Sequence, residues 1–362
     1  MTTPPSLYDL TLAELTEWFQ AQGQPAYRAK QIFHELYQRG IADVGAITTL
    51  PKSFREKLAA AFPVRRLELA QKQESSDGTV KYLSTLPDEQ FVETVMIPAA
   101  ERESPVEADS GVSAPRRRTV CVSTQVGCAY GCAFCASGLA GFKRNLSAGE
   151  IVQQVLMASK PEKVTNIVFM GMGEPLSNYD NLLKAIRILN APEGFAIGAR
   201  KITISTVGLV PMIERLSAEG IQVELSISLH APNDELRGKL MPVNKKYAIA
   251  ELIQACRAYV QATKRLITFE YILIDQVNDG VKEAQELVAL LQGLLCKVNL
   301  IPCHPIPGQP WGRPALPRML AFEKQLRIKG LPCTLRRSRG LDIDGACGQL
   351  RLRRETQEAK IN

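Results

Sequence analysis

The feature that most constrains the fold is a regular alternation of strand-like and helical segments that begins at Thr119. Seven runs rich in β-branched residues are predicted as strands: TVCVST, VTNIVFM, RKITIST, IQVELSISL, ITFEYILI, KVNLIP and LPCTLRR. Six segments of helical periodicity separate them, and the first is capped at Ser147. The pattern predicts an α/β fold with a parallel sheet, either an open barrel or a doubly wound sheet. In both architectures the catalytic loops follow the carboxyl ends of the strands.

The chain divides into four parts by composition and periodicity. Residues 1–67 predict a small helical domain, interpreted either as a packing domain or as an RNA-docking appendage. Residues 68–118 predict a β extension of three strands followed by a flexible connection rich in Pro, Ser and charge. The alternating core occupies residues 119–340. Residues 341–362 form a glycine-flanked cysteine loop, DGACGQ, and a basic tail.

Composition narrows the function classes. The chain has 362 residues, so it can bury a sizeable core, and its formal net charge of +7 favours a polyanionic partner. The N-terminus has no apolar signal-peptide core, and no run of eighteen apolar residues predicts a membrane span. We therefore expect a cytoplasmic protein with reduced thiols. Nine cysteines then indicate metal binding or catalysis rather than a disulfide framework.

Four cysteines lie within the stretch CVSTQVGCAYGCAFC, directly after the first core strand. Cys128, Cys132 and Cys135 have the spacing C-x3-C-x2-C. Three thiolates on a [4Fe–4S] cluster leave one iron free, and an open iron can chelate the amino and carboxylate groups of S-adenosylmethionine. The alternative is a structural zinc site with Cys121 as the fourth ligand.

The surrounding motifs carry a family resemblance. Seven motifs occur in this order along the chain: FVETVMIP, CVSTQVGCAYGCAFCASGLAGFKRNLSAGEI, FMGMGEPLSN, ISTVGLVP, SLHAP, VNLIP and DIDGACGQL. Together they resemble the RlmN family of radical S-adenosylmethionine enzymes, which methylate C2 of adenine in RNA, and the match covers nearly the whole chain. The resemblance implies a partial (β/α)6 barrel with a small N-terminal helical domain and a β-hairpin extension. It also implies one [4Fe–4S] cluster per chain and S-adenosylmethionine as cofactors.

The resemblance implies methylation of adenosine 2503 in 23S ribosomal RNA and of adenosine 37 in transfer RNA. C2 of adenine is electron-poor, so direct displacement at the sulfonium methyl is unavailable and a radical route is needed. The resemblance implies that a cysteine first carries the methyl group, then becomes bonded to C2, and is released as a disulfide with a second cysteine. It further implies an electron donor such as flavodoxin or ferredoxin, and a monomer without membrane attachment.

The family's functional residues map onto this sequence one by one. Cys347 matches the methyl-carrying cysteine, Cys121 the resolving cysteine, and Glu93 the proton acceptor, although a thiolate at Cys121 competes for that last role. Cys128, Cys132 and Cys135 match the cluster ligands. The positions that match cofactor-binding residues are Gly173, Glu174, Ser205, Ser228, Leu229, His230 and His304. His304 stands where the family usually has an asparagine, and a histidine can also donate or accept a hydrogen bond.

Paired cations predict the RNA contacts: Lys143 and Arg144, Arg200 and Lys201, Lys245 and Lys246, and the segments LRRSRG and RLRR. Two rival functions remain open at this point. A Cfr-type enzyme would methylate C8 of the same adenine with the same cysteines. A zinc-stabilised RNA-binding module belongs to a different class and would not turn over S-adenosylmethionine.

Overall fold

The computed structural model describes residues 4–41, 43–99, 116–139, 141–160, 162–306, 308–336, 338–340, 342–345 and 347–358. Most of the predicted flexible connection (residues 100–115) and the last four residues of the basic tail (359–362) lie outside this part of the chain.

The N-terminal region is helical, as predicted. It contains α1 (Leu12–Ala21), α2 (Tyr27–Phe33) and α3 (Lys52–Ala61). Thr11 and Glu14, three residues apart before a helical segment, predict a capping box. The structure contains it, because the Thr11 hydroxyl accepts the Glu14 N–H at 3.2 Å and the Glu14 carboxylate accepts the Thr11 N–H at 2.8 Å. The segment YRAKQIFHELYQRG predicts one helix that ends at Gly40, but the helix changes to a π-helical turn over His34–Gln38. Within that turn, Tyr37 packs its ring 5.2 Å from Phe195 of the core.

One ten-stranded sheet runs through the rest of the molecule. Its strands are β1 (Glu68–Glu74), β2 (Val80–Thr85), β3 (Phe91–Pro98), β4 (Arg118–Cys121), β7 (Asn166–Phe169), β8 (Ile202–Thr206), β9 (Glu224–Ser228), β10 (Ile267–Leu273), β11 (Cys296–Pro302) and β12 (Cys333–Leu335), in that spatial order. β1 to β4 pair antiparallel, so the β extension continues the core sheet. β4 and the six strands after it pair parallel, which confirms the seven predicted strands.

The remaining elements cover and complete this sheet. The further helices are α4 (Ala136–Leu139), α5 (Ala148–Ala158), α6 (Tyr179–Asn190), α7 (Val210–Ser217), α8 (Asp234–Leu240), α9 (Ile249–Thr263), α10 (Val281–Leu291), α11 (Leu316–Ile328) and α12 (Gln349–Glu358). A separate two-stranded hairpin, β5 (Gln125–Gly127) and β6 (Phe142–Asn145), encloses the cysteine loop. This hairpin and α12 were not predicted. None of the described helices has the length and apolar character needed to span a bilayer.

The two faces of the parallel sheet differ in what they contact. On β10, the Tyr271 ring packs 5.2 Å from Phe322 of α11, so this face meets the outer helices. Glu270, the neighbouring residue, points to the opposite, inner face. Its carboxylate accepts hydrogen bonds from Ser226 on β9 and Asn299 on β11, both at 3.1 Å. The barrel interior therefore contains polar side chains below the strand ends.

Candidate active site

The cysteine loop is held in place by hydrogen bonds from two other elements. The Ala133 N–H donates to the Leu240 carbonyl at 2.9 Å, and the Trp311 indole N–H donates to the Ala133 carbonyl at 2.8 Å. Ala133 lies between Cys132 and Cys135, so these bonds fix the backbone between two of the predicted cluster ligands. The cysteine loop is thus anchored to α8 and to the segment before α11.

The three thiols of this loop are half-buried and lie close enough to affect one another. Burial raises the pKa of Cys128 to about 12, and the nearby Cys135 adds to this effect. Burial followed by Cys135 and Cys128 also raises the pKa of Cys132. Three thiolates at this place therefore need a positively charged centre, which an iron–sulfur cluster provides. Within the described residues, no three His, Cys, Asp or Glu side chains converge on one point suited to a single metal ion.

The loop after β7 places Glu174 in a buried position. Gly173 has φ of +98°, and a Cβ added there would lie 2.5 Å from Cβ of Gln125, so only glycine fits. The Glu174 carboxylate accepts the N–H of Leu176 at 3.0 Å and the N–H of Val207 at 2.8 Å. Burial raises the pKa of Glu174 to about 7 despite these hydrogen bonds. The group is therefore fixed in direction and poorly solvated, which suits recognition of an ammonium group.

The ends of β8 and β9 carry the next predicted cofactor residues. Ser205 and Ser228 are half-buried at these strand ends, whereas the Leu229 side chain is fully buried in the core. Leu229 can therefore reach a ligand only through its backbone. Buried Arg237, which the sequence reasoning missed, donates to the carbonyls of Ser228 and Leu229, both at 3.3 Å. The guanidinium fixes the backbone at this strand end.

His230 connects the strand end to the cysteine loop. Its backbone has φ of +60°, and Nδ1 accepts the Ile272 N–H at 3.0 Å, so the ring proton resides on Nε2. The ring lies edge-on to Phe134 of the cysteine loop, with centroids 4.8 Å apart. Burial, followed by the nearby Arg237, lowers the pKa of His230 to about 3, so the imidazole is neutral and can donate from Nε2.

His304 follows β11 and is half-buried. Burial lowers its pKa, and the positive charges of Lys81 and Arg313 lower it further. The neutral ring therefore lies on the side of the site that also contains Lys81 of β2.

The C-terminal loop brings Cys347 against the cysteine loop. Cys347 Sγ lies 3.3 Å from Ser137 Oγ, and Ser137 is in α4, directly after Cys135. Burial raises the pKa of Cys347 strongly, and the nearby Cys135, Glu93 and Cys121 raise it further. Cys347 is therefore close to a predicted cluster ligand and also to the predicted resolving cysteine.

Cys121 belongs to a different set of neighbours from the three cluster cysteines. It ends β4, where its Cα is paired with Val95 of β3. Burial raises the pKa of Cys121 to about 11, while the positive charges of Arg336 and Lys81 oppose this rise. Its charged neighbours therefore differ from those of the three cysteines in the C-x3-C-x2-C motif.

Glu93 is buried and already engaged in hydrogen bonds. Its Oε2 accepts the Gly348 N–H at 2.7 Å and its Oε1 accepts the Arg351 N–H at 2.8 Å. Lys81 Nζ lies 2.9 Å from Oε2 in a fully buried ion pair. Glu93 therefore binds the start of α12, one residue after Cys347. The sequence reasoning identified Glu93 but missed Lys81, whose only signal was a lysine within an apolar strand.

Glu270 is a second residue that the sequence reasoning missed. Its Oε1 is bonded to Ser226 and Asn299, but Oε2 is buried and has no partner among the described residues. Burial raises the pKa of this carboxyl group. An unpaired buried oxygen inside the barrel fits a ligand that supplies a hydroxyl or amino donor. A carboxylate within the strand-like run ITFEYILI was the available signal.

Among the predicted RNA contacts, Arg144 has another role. Its guanidinium lies between Asp88, at 2.6 Å, and Glu150, at 2.8 Å, so two carboxylates balance its charge. Lys143 beside it is exposed, and so are Arg200, Lys201, Lys245 and Lys246. These exposed cations remain available for phosphate groups.

Comparison with known proteins gives two family matches. Residues 122–288 match the model of the radical SAM superfamily, and residues 6–64 match the ribosomal RNA large subunit methyltransferase N-terminal domain. A probable dual-specificity RNA methyltransferase RlmN of Geobacillus kaustophilus is 46% identical over 98% of this chain and 95% of its own length. A protein of the same description from Bacillus thuringiensis is 44% identical over 99% of this chain and 96% of its own length.

A solved structure agrees with this assignment. The crystal structure of a radical SAM methyltransferase from Sphaerobacter thermophilus has a TM-score of 0.87 and 50% identity to this chain. It covers 96% of this chain and 99% of its own. The similarity therefore extends through the helical region, the β extension and the barrel.

Proposed function

Because the chain belongs to the RlmN family of radical SAM RNA methyltransferases, we propose that it methylates C2 of adenosine 2503 in 23S ribosomal RNA and of adenosine 37 in transfer RNA. The observation that carries this proposal is the position of Cys347. It lies 3.3 Å from Ser137 at the cysteine loop, with Cys121 and Glu93 also among its neighbours. This arrangement supplies two thiols outside the three-cysteine motif, as the chemistry at C2 requires.

The residues present fit both cofactors. Cys128, Cys132 and Cys135 would hold one [4Fe–4S] cluster, and S-adenosylmethionine would bind at the adjoining strand ends. The residues proposed for S-adenosylmethionine are Gly173, Glu174, Ser205, Ser228, Leu229, His230 and His304. When bound, the two cofactors supply the methyl group and the one-electron chemistry that activates it.

Glu174 and His230 orient the proposed cofactor through opposite hydrogen-bonding roles. The carboxylate of Glu174 accepts from an ammonium group, and its backbone donors hold it in one direction. The neutral imidazole of His230 donates from Nε2 because Nδ1 is engaged by the Ile272 N–H. The orphan oxygen of Glu270 supplies a further acceptor in the barrel interior.

Cys347 carries the methyl group on its sulfur. This methyl group would lose a hydrogen atom to the one-electron chemistry of bound S-adenosylmethionine, and its carbon would then bond to C2 of the adenine. Glu93 accepts the C2 proton. The thiolate of Cys121 attacks the sulfur of Cys347, which breaks the bond between that sulfur and the methyl carbon and forms a Cys121–Cys347 disulfide. The released carbon takes up a proton to become a methyl group, and the one surplus electron would return to the one-electron chemistry that the bound cofactors supply. The methylated base leaves, and an electron donor such as flavodoxin or ferredoxin supplies the electrons that each cycle consumes.

Proton transfer to Glu93 has a structural consequence. Both carboxylate oxygens accept hydrogen bonds at the start of α12, and Lys81 is paired with Oε2. Accepting the proton neutralises Glu93 and therefore weakens its ion pair with Lys81 and its hydrogen bonds at the start of α12. The thiolate of Cys121 remains the competing base.

RNA is proposed to approach across the exposed cations at the strand ends. Lys143 on β6 and Lys245 after α8 are exposed and suit phosphate contacts, whereas Lys201 directly precedes β8 and lies at the amino end of the parallel strands, opposite the site. The N-terminal domain (1–67), matched by a methyltransferase-specific model, would dock the RNA beside the core (119–340). The target adenine leaves its stack to reach the buried thiols. These substrates place the reaction in the cytoplasm, and we propose that the enzyme acts as a monomer.

An oxygen-free assay tests the function. Purified protein with a reconstituted cluster is incubated with S-adenosylmethionine, a reductant and unmethylated 23S fragment or transfer RNA, and the nucleosides are separated by mass spectrometry. We expect 2-methyladenosine. Only 8-methyladenosine would favour the Cfr-type reaction instead. A colourless protein that holds zinc and lacks iron and sulfide would reject both readings in favour of an RNA-binding module.

A further inference from the structure

Three side chains of the β extension and the first core strand lie on one face of the sheet. Lys81 of β2 is paired with Val95 of β3, and Val95 is paired with Cys121 of β4. Glu93 is two residues from Val95 on the same strand, so it shares that face. Lys81, Glu93 and Cys121 therefore all point to the side where the Cys347 loop lies.

Lys81 contacts both flanks of the Cys347 loop. Its ammonium group is fully buried and donates to the carbonyl of Asp344, three residues before Cys347. The same group lies 2.9 Å from Glu93, which accepts the N–H of Gly348, one residue after Cys347. One cation thus fixes the backbone on either side of the cysteine.

Glu93 extends this contact into α12. It accepts the N–H groups of Gly348 and Arg351 at the start of that helix, where free N–H groups favour a carboxylate. A buried carboxylate without a cation would be costly, so the ammonium group of Lys81 compensates the charge of Glu93 in this position. The helix start, and with it Cys347, depends on the ion pair.

The tip of the β1–β2 hairpin holds the same loop from outside. Gln73 donates to the Asp344 carboxylate at 2.9 Å and accepts the Asp344 N–H at 3.2 Å. Asp77 accepts the Gly340 N–H at 2.9 Å. Ser75 donates to the carboxylate of Asp342. The hairpin therefore contacts the loop at three successive points before Cys347.

We propose that Lys81 is a positioning residue for Cys347: it holds the loop so that the sulfur stays against the cysteine loop during methyl transfer. The inference rests on the proposed function, because it assigns Lys81 to the step in which Cys347 receives its methyl group. Lys81 acts through Asp344 and Glu93 and does not touch the reacting atoms. A displacement of about 1 Å at a reacting atom lowers a rate by about a hundredfold.

The test compares Lys81→Met with Lys72→Met. Methionine approximates the unbranched aliphatic stem of lysine but lacks its ammonium group. Lys72 is on the same hairpin in an exposed ion pair with Glu74, so it is a matched control. Each full-length protein is isolated without its cluster, reconstituted, and incubated with S-adenosylmethionine and dithionite in the absence of oxygen. Iron content, cofactor cleavage to 5′-deoxyadenosine and methylation of Cys347 are measured separately.

We expect Lys81→Met to keep its iron and its rate of cofactor cleavage while methylation of Cys347 falls by about tenfold or more. Lys72→Met should match the wild type in all three. Methylation of Cys347 at the wild-type rate in Lys81→Met would overturn the inference, and so would a proportional loss of iron, cleavage and methylation. If the wild type itself never methylates Cys347, the proposed function fails rather than the role of Lys81.

Two further measurements extend the test, and the first keeps the inference testable if Lys81→Met does not fold. Gln73→Leu removes a contact to Asp344 from a half-buried position and should lower methylation in the same direction by a smaller factor. Glu93→Gln combined with Lys81→Met should lower methylation by less than the product of the two single effects, because both act through one ion pair. Independent, multiplicative effects would contradict the coupling.

Discussion

Cys347 Sγ lies 3.3 Å from Ser137 Oγ, although the two residues are 210 positions apart in the sequence. Ser137 follows Cys135 in α4, so this contact joins the C-terminal loop to the cysteine loop. It brings a thiol that is not a proposed cluster ligand to the edge of the proposed cluster. The chemistry proposed for this enzyme depends on that proximity.

Replacing any one of Cys128, Cys132 or Cys135 by alanine should remove the cluster and all turnover, because each thiolate is proposed to hold a different iron. Iron and sulfide analysis after anaerobic reconstitution measures this directly. Cys333→Ala is the control, since that half-buried cysteine lies on β12 and should keep a full cluster. A complete cluster in any of the three variants would remove that residue from the ligand set.

Glu174→Ala should weaken S-adenosylmethionine binding by about 1.5–3 kcal/mol, the usual contribution of a hydrogen bond to a charged group. This corresponds to about a tenfold to hundredfold rise in Kd. Equilibrium binding to cluster-loaded protein measures it. Glu174→Gln keeps the side-chain shape but removes the charge, and should bind nearly as weakly. Wild-type affinity in either variant would assign the ammonium contact to another residue.

The same carboxyl group predicts a pH dependence. In the protein without cofactor, burial raises the pKa of Glu174 from its ordinary value of 4.5 to about 7. A bound ammonium group favours the ionised form. Below pH 7, binding of S-adenosylmethionine should therefore release a proton from Glu174. The affinity should decrease by up to about tenfold for each unit by which the pH is lowered below 7, and it should be constant above pH 7. In Glu174→Gln this slope should vanish. A slope that persists in the variant would come from another group.

Protonation of Glu174 affects the stability of the protein in the opposite direction to its effect on cofactor affinity. Because the folded pKa of Glu174 lies above the ordinary value, the folded protein binds more protons between pH 4.5 and about 7. The contribution of Glu174 to the free energy of unfolding should therefore decrease as pH rises through this range. Denaturant titrations of wild type and Glu174→Gln at several pH values should show the wild type losing stability relative to the variant.

Gly348→Ala should disturb the Cys347 loop. Gly348 has φ of +81°, and a Cβ there would lie 2.6 Å from Ser137 Oγ and 2.7 Å from the Ser137 backbone nitrogen. Gly220→Ala is a matched control, because Gly220 also has positive φ but a Cβ there meets nothing within 4 Å. We expect Gly348→Ala alone to lower the methylation of Cys347, measured by peptide mass spectrometry. If both changes lowered methylation equally, the loss would come from backbone strain at positive φ and not from the contact with Ser137.

The sequence predicted the parts of the fold that depend on local periodicity. All seven parallel strands and the Thr11 capping box are confirmed, because alternation and capping are read from neighbouring residues. The β5–β6 hairpin was missed because its strands, QVG and FKRN, are too short to show a period. The change to a π turn at His34–Gln38 has no signal in the sequence.

In the candidate site as well, the sequence predicts only features that neighbouring residues indicate. Cys347, Cys121 and Glu93 were predicted from motifs, but the hydrogen bond between Glu93 and Gly348 joins residues 255 positions apart, and nothing local indicates it. Lys81 was counted as an ordinary strand residue, although it is fully buried against Glu93. Arg144 was expected to contact phosphate, yet it lies between Asp88 and Glu150. These relationships exist only in the folded sheet.

The measurement that most directly tests the account is the fate of RNA incubated with Cys121→Ala under oxygen-free turnover conditions. Cys347 can still receive a methyl group in this variant and become bonded to C2, but the variant lacks the thiol that is proposed to break the bond between the Cys347 sulfur and the methyl carbon. A covalent enzyme–RNA adduct should therefore accumulate as a slow, nuclease-sensitive band on a denaturing gel that resists reducing agent. Cys347→Ala should give no such band. Normal turnover by Cys121→Ala, or an adduct with Cys347→Ala, would contradict the roles assigned to both cysteines.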